Sequence, residues 1–188
     1  MAPVNTVVYG PEMAERLTAE QWVDAGLRTL ARQSFTALKA DLLAKGLGVS
    51  RGSFYWHFAD LDAYHQAVIE RWQVRATEWI MADIDRLLPP QRLPALLFRA
   101  FHTEVSLEMA VRAWAVSCPM VREAVEQVDR MRLDYTGDLL AAEGVPSAEA
   151  KAKMIYWTYL GFVLIGGDEK QAGPVLDELL SSARVRPS

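Results

Sequence analysis

A single cysteine, Cys118, stands in a chain of 188 residues, so an internal disulfide is excluded and the composition fits a reducing cytoplasm. Cys118 precedes Pro119 without a local nucleophile signature and reads as a small buried residue. Histidine is scarce too: there are three, His57, His65 and His102, and none has Cys, Asp or Glu at metal-ligand spacing. No metal and no cofactor are expected. The chain has no GxGxxG run, no P-loop and no convergent nucleophile and base, so no catalytic residue is assigned and it does not read as an enzyme. The longest apolar run, Ile155 to Gly167, is too short to span a bilayer, and no membrane partner is expected. No basic region precedes the apolar residues of the N-terminus, which therefore does not read as a signal peptide. Lys and Arg are absent before Arg16, so no basic minor-groove arm is expected.

Positive charge is in deficit as well. The formal net charge is −4, which argues against a general nucleic-acid coat but leaves room for a specific DNA binder with segregated charge. Residues 1–58 carry six Lys/Arg and five Asp/Glu, a balance of +1 that leaves −5 for the remainder. The asymmetry has the sign expected for DNA binding, and it is slight.

What the chain does have is concentrated in Leu42 to Phe58, LLAKGLGVSRGSFYWHF. Leu42, Leu43 and Ala44 sit on a short helix. Gly46 and Gly48 flank Leu47 in the turn that follows, where a positive φ costs glycine little. Ser50 is placed to cap a second helix through its side-chain oxygen. Phe54 and Phe58 are four apart and share the face that fastens this helix to its neighbours. The opposite face carries Ser50, Arg51, Ser53, Tyr55, Trp56 and His57: donors, one cation and aromatic rings, with no carboxylate. Acceptors dominate both the major-groove edges and the phosphates of DNA, so such a set suits a groove. The plain alternative is a helical hairpin in an ordinary bundle.

The run GVSRGSFYWHF, Gly48 to Phe58, resembles the DNA-binding signature of the tetracycline-repressor (TetR) family of bacterial regulators. That signature reads Gly-Val-Ser, a basic residue, Gly, a small hydroxyl residue, then aliphatic-Tyr-x-His-Phe. Motif support lies in residues 35–58, and helix count and order extend the resemblance over about 170 of the 188 residues. It implies an all-α fold, with an N-terminal three-helix helix-turn-helix domain joined by a long helix to a C-terminal helical ligand-binding and dimerisation domain. Residues 1–16 are then a flexible tail, 17–59 the DNA-binding domain and 60–188 the ligand-binding and dimerisation domain.

The implied function is sequence-specific binding of a palindromic double-stranded DNA operator by a cytoplasmic homodimer, most often a repressor released by a small apolar or aromatic effector. The implied DNA contacts are Thr36, Lys39, Ser50, Arg51, Gly52, Ser53, Tyr55, Trp56 and His57. Tyr55 and His57 would mainly hold phosphates, and Arg51 and Ser53 would discriminate bases. Trp56 would cover either a sugar-phosphate patch or a thymine methyl. Two positions depart from the family pattern. Lys39 stands where the family has a capping Ser or Thr; it can meet a phosphate as a point charge but cannot cap. Leu61 stands where the family commonly has a phosphate-touching Lys. Two readings compete: a ligand-binding protein of the same fold that does not bind DNA, and an all-α enzyme using the cavity.

Elsewhere the periodicity predicts a capping-box start at Thr18 and Gln21, and one helix from Asp60 to about Leu87 with an unbroken apolar stripe. Pro89, Pro90 and Pro94 are expected to break the chain before a helix around Leu96 to Val105, and Pro119 to open a helix that runs to about Glu143. Ser147 is expected to cap a helix that becomes apolar on every face from Met154 on. Such a helix must be covered on all sides, which suggests a second copy docking through residues 147–184. The family's small-molecule pocket lies between these helices. Trp79, Phe98, Phe101, His102, Trp114 and Trp157 are the residues expected to line it, and by default they are core. His102 is either a satisfied core histidine or the polar contact of that pocket.

Overall fold

Thr18 opens the first helix as its capping box predicts: the Gln21 N–H donates to Thr18 Oγ1 and the Thr18 N–H donates to Gln21 Oε1 at 2.7 Å. In this computed structural model, residues 17–183 are described, and the tail assigned to residues 1–16 lies outside them. Helix α1 (Ala19–Arg32) is followed by a 3-10 turn (Phe35–Ala37), α2 (Ala40–Leu47), α3 (Arg51–Tyr55), α4 (Leu61–Ala76) and α5 (Glu78–Asp85). Then come α6 (Pro89–His102), α7 (Ser106–Ala115), α8 (Pro119–Ala142), α9 (Ala148–Leu164) and α10 (Glu169–Ala183). No strand occurs among the described residues, so the chain is all-α as expected.

Gly48 ends α2 in the left-handed region at φ 69°, which a side chain would disfavour, and Gly46 stays inside the helix. Asp60 caps α4 through the Ala63 N–H at 2.8 Å. The expected long helix from Asp60 to Leu87 is two helices, broken at Thr77 (φ −130°, ψ −81°). Thr77 is buried, and its hydroxyl donates back to the Gln73 carbonyl at 2.7 Å. The break frees the Ala76 carbonyl, which accepts from Arg132 Nε of α8 at 3.2 Å. An apolar stripe cannot reveal this interruption, because Ala76 and Ile84 are buried on either side of it.

Three further expectations need correction. Ser50 and Ser147 make no side-chain cap bond; Ser147 adopts a left-handed φ of 56° instead. Pro89 and Pro90 do not precede α6 but form its first turn, where a missing N–H removes no helical bond. Leu176 does not wait for a partner chain: it is 7% exposed and packs with Leu179 against Leu93 and Leu97 of α6.

One buried cluster runs from Trp22, Leu27 and Leu30 of α1 through Leu43, Phe54, Tyr64, Val68 and Trp72 to Val111, Trp114, Val121 and Val128. Helices α1 to α3 therefore share their core with α4, α7 and α8. A second cluster joins Leu93, Leu97 and Phe101 of α6 to Leu140, Ile155, Phe162 and Leu176. Trp22 meets Phe54 edge-on at 5.4 Å, which ties α1 to α3.

Gly26 sets how closely α1 and α4 approach. A Cβ there would press on the Tyr64 hydroxyl and come within 2.8 Å of Val68 Cγ2. That hydroxyl is buried and donates to the Trp22 carbonyl at 2.9 Å. Gly26→Ala is expected to destabilise the fold by about 1–3 kcal/mol, because overpacking and the lost bond outweigh the roughly 1 kcal/mol that Ala gains in a helix. The midpoint of denaturant unfolding measures it.

Candidate nucleic-acid interface and effector cavity

The reading end is built from the turn between α2 and α3. Phe54 is fully buried and Phe58 nearly so, which leaves the rest of the segment to face outward. Ser50, Arg51, Gly52, Tyr55, Trp56 and His57 are exposed, with Trp56 at 77%, and Ser53 is half-buried. Thr36 and Lys39, also exposed, stand just before α2; Lys39 takes the N-cap position without a side-chain cap bond, and the Thr36 and Ser34 hydroxyls are 2.6 Å apart. Of the nine residues expected to meet DNA, eight are thus exposed and Ser53 is half-buried.

This group also includes a carboxylate that sequence spacing did not place there. Asp41, in the first turn of α2, forms an ion pair with Arg51, its carboxylate 2.9 Å from Nε. Arg51 also donates to the Tyr55 hydroxyl at 3.1 Å, and its guanidinium lies 5.5 Å from the Tyr55 ring centroid. Asp41 and Arg51 are ten residues apart and on different helices, so no local pattern links them.

The six residues expected to line a pocket are not brought together. Phe101 lines the cavity described below. Trp79 is half exposed beneath the Arg75 guanidinium. Phe98 is exposed and stacks on His102 at 3.9 Å, and His102 Nδ1 bonds the Phe98 carbonyl at 2.9 Å. Trp114 is buried against Phe35, parallel to it at 5.8 Å, and meets His65 edge-on. Trp157 is exposed on α9.

A cavity of about 280 Å³ lies between α4, α5, α6, α7, α8 and α9. Trp72, Ile80, Leu97, Phe101 and Ile155 supply its apolar wall. Its polar end is formed by Glu108, Arg132, Tyr135, Tyr156 and Tyr159. Glu108 is 6% exposed and binds two arginines. Arg132 grips it with two bonds of 3.1 Å, and Arg112 Nε donates to it at 2.9 Å. Arg112 in turn holds Asp129 with bonds of 2.6 and 3.2 Å, and the Tyr156 hydroxyl donates to Asp129 at 2.5 Å. Burial works against charge on Arg112 and Arg132, but Asp129 and Glu108 more than offset it and their pKa values rise. Burial, reinforced by Glu108, pushes the Tyr159 hydroxyl up to about 12, so it stays neutral at physiological pH.

The signal that could have found this polar end is helical register. Glu108 shares a stripe with Val111 and Ala115, and Arg132 falls between Val128 and Tyr135 on the inward stripe of α8. A charged residue on an apolar stripe marks a buried pair.

On α9, one face is buried through Ala152, Ile155, Tyr156, Phe162 and Val163. The other exposes Met154, Trp157, Gly161, Leu164 and Ile165 at helical spacing, with Leu164 at 62%. Among the described residues no helix is long and apolar enough to cross a membrane, and no cluster of three or more metal-ligating side chains occurs.

Removing one partner of the buried ion network should be costly. Glu108→Ala is expected to lose about 3–5 kcal/mol, since Arg132 and part of Arg112 are left without an anion. Glu108→Leu combined with Arg132→Met should recover much of that loss. Thermal unfolding of both variants checks this: a double variant no more stable than Glu108→Ala would show that the network does not act as a charge pair.

Residues 23–63 match the model for bacterial regulatory proteins of the tetR family. No curated protein sequence matches the chain. Among solved structures, a transcriptional regulator from Rhodococcus sp. Rha1 is 18% identical with a TM-score of 0.75, over 91% of this chain and 100% of that one. NemR of E. coli in its reduced form is 17% identical with a TM-score of 0.76, over 90% and 99%. A putative transcriptional regulator from Saccharomonospora viridis, in complex with choline, is 16% identical with a TM-score of 0.74, over 87% and 95%. At these identities the likeness is one of fold.

Proposed function

We propose a function for a chain that belongs, by its residues 23–63 and by its fold, to the TetR family of bacterial regulators: it binds a palindromic DNA operator as a homodimer and is released by a small, uncharged, largely apolar effector. Residues 17–59 are the reading head, and residues 60–188 bind the effector and the second copy. The observation that carries the reading is the reading face itself. Arg51, Tyr55, Trp56 and His57 stand exposed together while Phe54 is fully buried beneath them. No metabolic chemistry explains a solvent-facing set of donors and rings with its anchoring phenylalanines turned inward, whereas phosphate and base-edge acceptors do.

Two features support the rest. The exposed apolar face of α9 is what a second copy would cover, with Gly161 leaving open space for close approach. The cavity is of ligand size, and each arginine that lines it already has a carboxylate partner: Arg132 has Glu108, Arg75 has Asp24 and Arg99 has Asp83. An ionic effector would add an uncompensated charge there, so an uncharged molecule with one hydrogen-bonding end fits best. By mechanism, the effector must bind the released conformation better than the DNA-bound one.

Selection from a random DNA library tests the reading. Full-length protein should enrich a palindrome; enrichment of no sequence would leave the ligand-binding protein without DNA activity as the answer. Against the selected operator, Arg51→Ala should relax preference by roughly 1–3 kcal/mol at one base pair of each half-site. Lys39→Ala should weaken all sequences alike and flatten the salt slope.

Leu164→Glu should give monomers that no longer bind the operator, since a carboxylate buried without a partner costs several kcal/mol. Analytical ultracentrifugation reads the assembly. A wild-type chain that sediments as a monomer at micromolar concentration overturns the dimer. For the effector, a compound that quenches tryptophan emission through Trp72 should release DNA at matching concentrations. Ala100→Trp, which fills the cavity, should abolish both responses and leave operator binding intact.

A further inference from the structure

The one carboxylate on the reading face calls for an explanation. Close to DNA an acid is repelled by phosphates and by the acceptors of guanine, adenine and thymine, and only cytosine offers it a donor. Asp41 nonetheless sits beside the exposed donors of α3, ion-paired with Arg51 at 2.9 Å from Nε. As a stabilising contact it counts for little. Both side chains are more than 60% exposed, and such pairs contribute about 0–1 kcal/mol at most.

Its geometric effect is larger. Arg51 is a flexible side chain at the first position of a five-residue helix, with several rotatable bonds to immobilise before it can read a base. The Asp41 carboxylate holds the root of the guanidinium by charge, 2.9 Å from Nε, and the Tyr55 hydroxyl takes one of its four terminal N–H groups. A guanidinium carries four of its five N–H donors on the two terminal nitrogens, so three remain at its far end, one more than a bidentate grip on guanine O6 and N7 requires. The two contacts come from different helices, Asp41 from α2 and Tyr55 from one turn further along α3, so together they restrict where the fork can lie.

We infer that Asp41 is a positioning residue for base readout: it buttresses Arg51 so that the guanidinium meets a guanine with its fork already aimed. The inference rests on the chain being a sequence-specific DNA binder. The acid is tolerated near the phosphates because its charge is spent on Arg51. The cost of ordering Arg51 is met in the free protein, and the discrimination appears at a single base pair in each half-site.

The test is selection from a random DNA library, followed by affinity measurements on the selected operator at several salt concentrations, with full-length wild type, Asp41→Asn, Asp41→Glu and Arg51→Ala. The position at which Arg51→Ala loses preference identifies the base that Arg51 reads. Asp41→Asn should lose preference at that same position by about five- to tenfold, keep it at every other position and leave the salt slope unchanged. Asp41→Glu, which restores the carboxylate, should recover most of the preference. A purely electrostatic role moves the readout the other way: Asp41→Asn would then bind all sequences more tightly with an unaltered motif, and that result overturns the inference. So does a selected motif in which Arg51→Ala changes no position. Equal melting temperatures of the variants exclude a folding effect, and a substantially lower one for Asp41→Asn makes Asp41 structural and overturns the inference too. If wild type selects no sequence at all, the DNA-binding reading itself fails, an outcome distinct from the others.

Discussion

A carboxylate inside an apolar bundle must be paired, and Glu108 sets the terms for much of this one. Its oxygens take Arg132 and Arg112. Each arginine then has donors left over, and these must find acceptors in turn. Arg132 reaches the Ala76 carbonyl, an acceptor that exists only because the helix stops there. Arg112 reaches Asp129, whose charge is shared with the Tyr156 hydroxyl. Four helices, α4, α7, α8 and α9, are thus registered by a chain of obligations that begins with one side chain. A buried ion pair of this kind adds little net stability over a well-packed apolar replacement. What it adds is selectivity among packings, because any slip of one helix leaves a charge or a carbonyl without a partner.

The same constraint shapes the cavity. Apolar side chains of α4, α5 and α6 form one wall, and the satisfied ion network forms the other. The polar end is therefore rigid, and its hydrogen-bonding capacity resides mostly in tyrosines. Tyr159, beneath the Arg132 guanidinium at 5.6 Å from its ring centroid, is held neutral by burial and by the nearby Glu108 charge. A neutral hydroxyl at the edge of a balanced charge cluster can give or accept a hydrogen bond without disturbing the cluster.

Much of this was legible in the residues. The capping box at Thr18, the cap at Asp60, the left-handed Gly48 and the inward Phe54 and Phe58 are local rules that the chain obeys. The division of α3 into an anchoring side and a reading side follows from a spacing of four. Illegible were features that depend on distant partners. Thr77 breaks a helix whose apolar stripe continues across it, and the freed carbonyl is claimed by a side chain 56 residues away. Asp41 meets Arg51 only because α2 and α3 pack side by side. Aromatic density misled for a related reason. Trp114 fills the joint with the 3-10 turn and Trp157 faces outward, while the tyrosines that line the cavity carry no spacing that sets them apart from other helix residues.

The buried cluster that runs unbroken from Trp22 to Val128 bears on how such a regulator can be recombined. Phe35, next to the reading helices, lies flat against Trp114 of α7, and α7 also carries Glu108 and Arg112. Among the described residues the apolar cluster crosses the boundary at residue 59, so residues 17–59 cannot be exchanged for those of a relative without cutting through it. A chimaera cut there would juxtapose two surfaces shaped for other partners, in the manner of a lock fitted with half of another key. Transplanting the specificity of this chain would require moving the outward side chains of α2 and α3 alone, or carrying the matching face of α7 along with them.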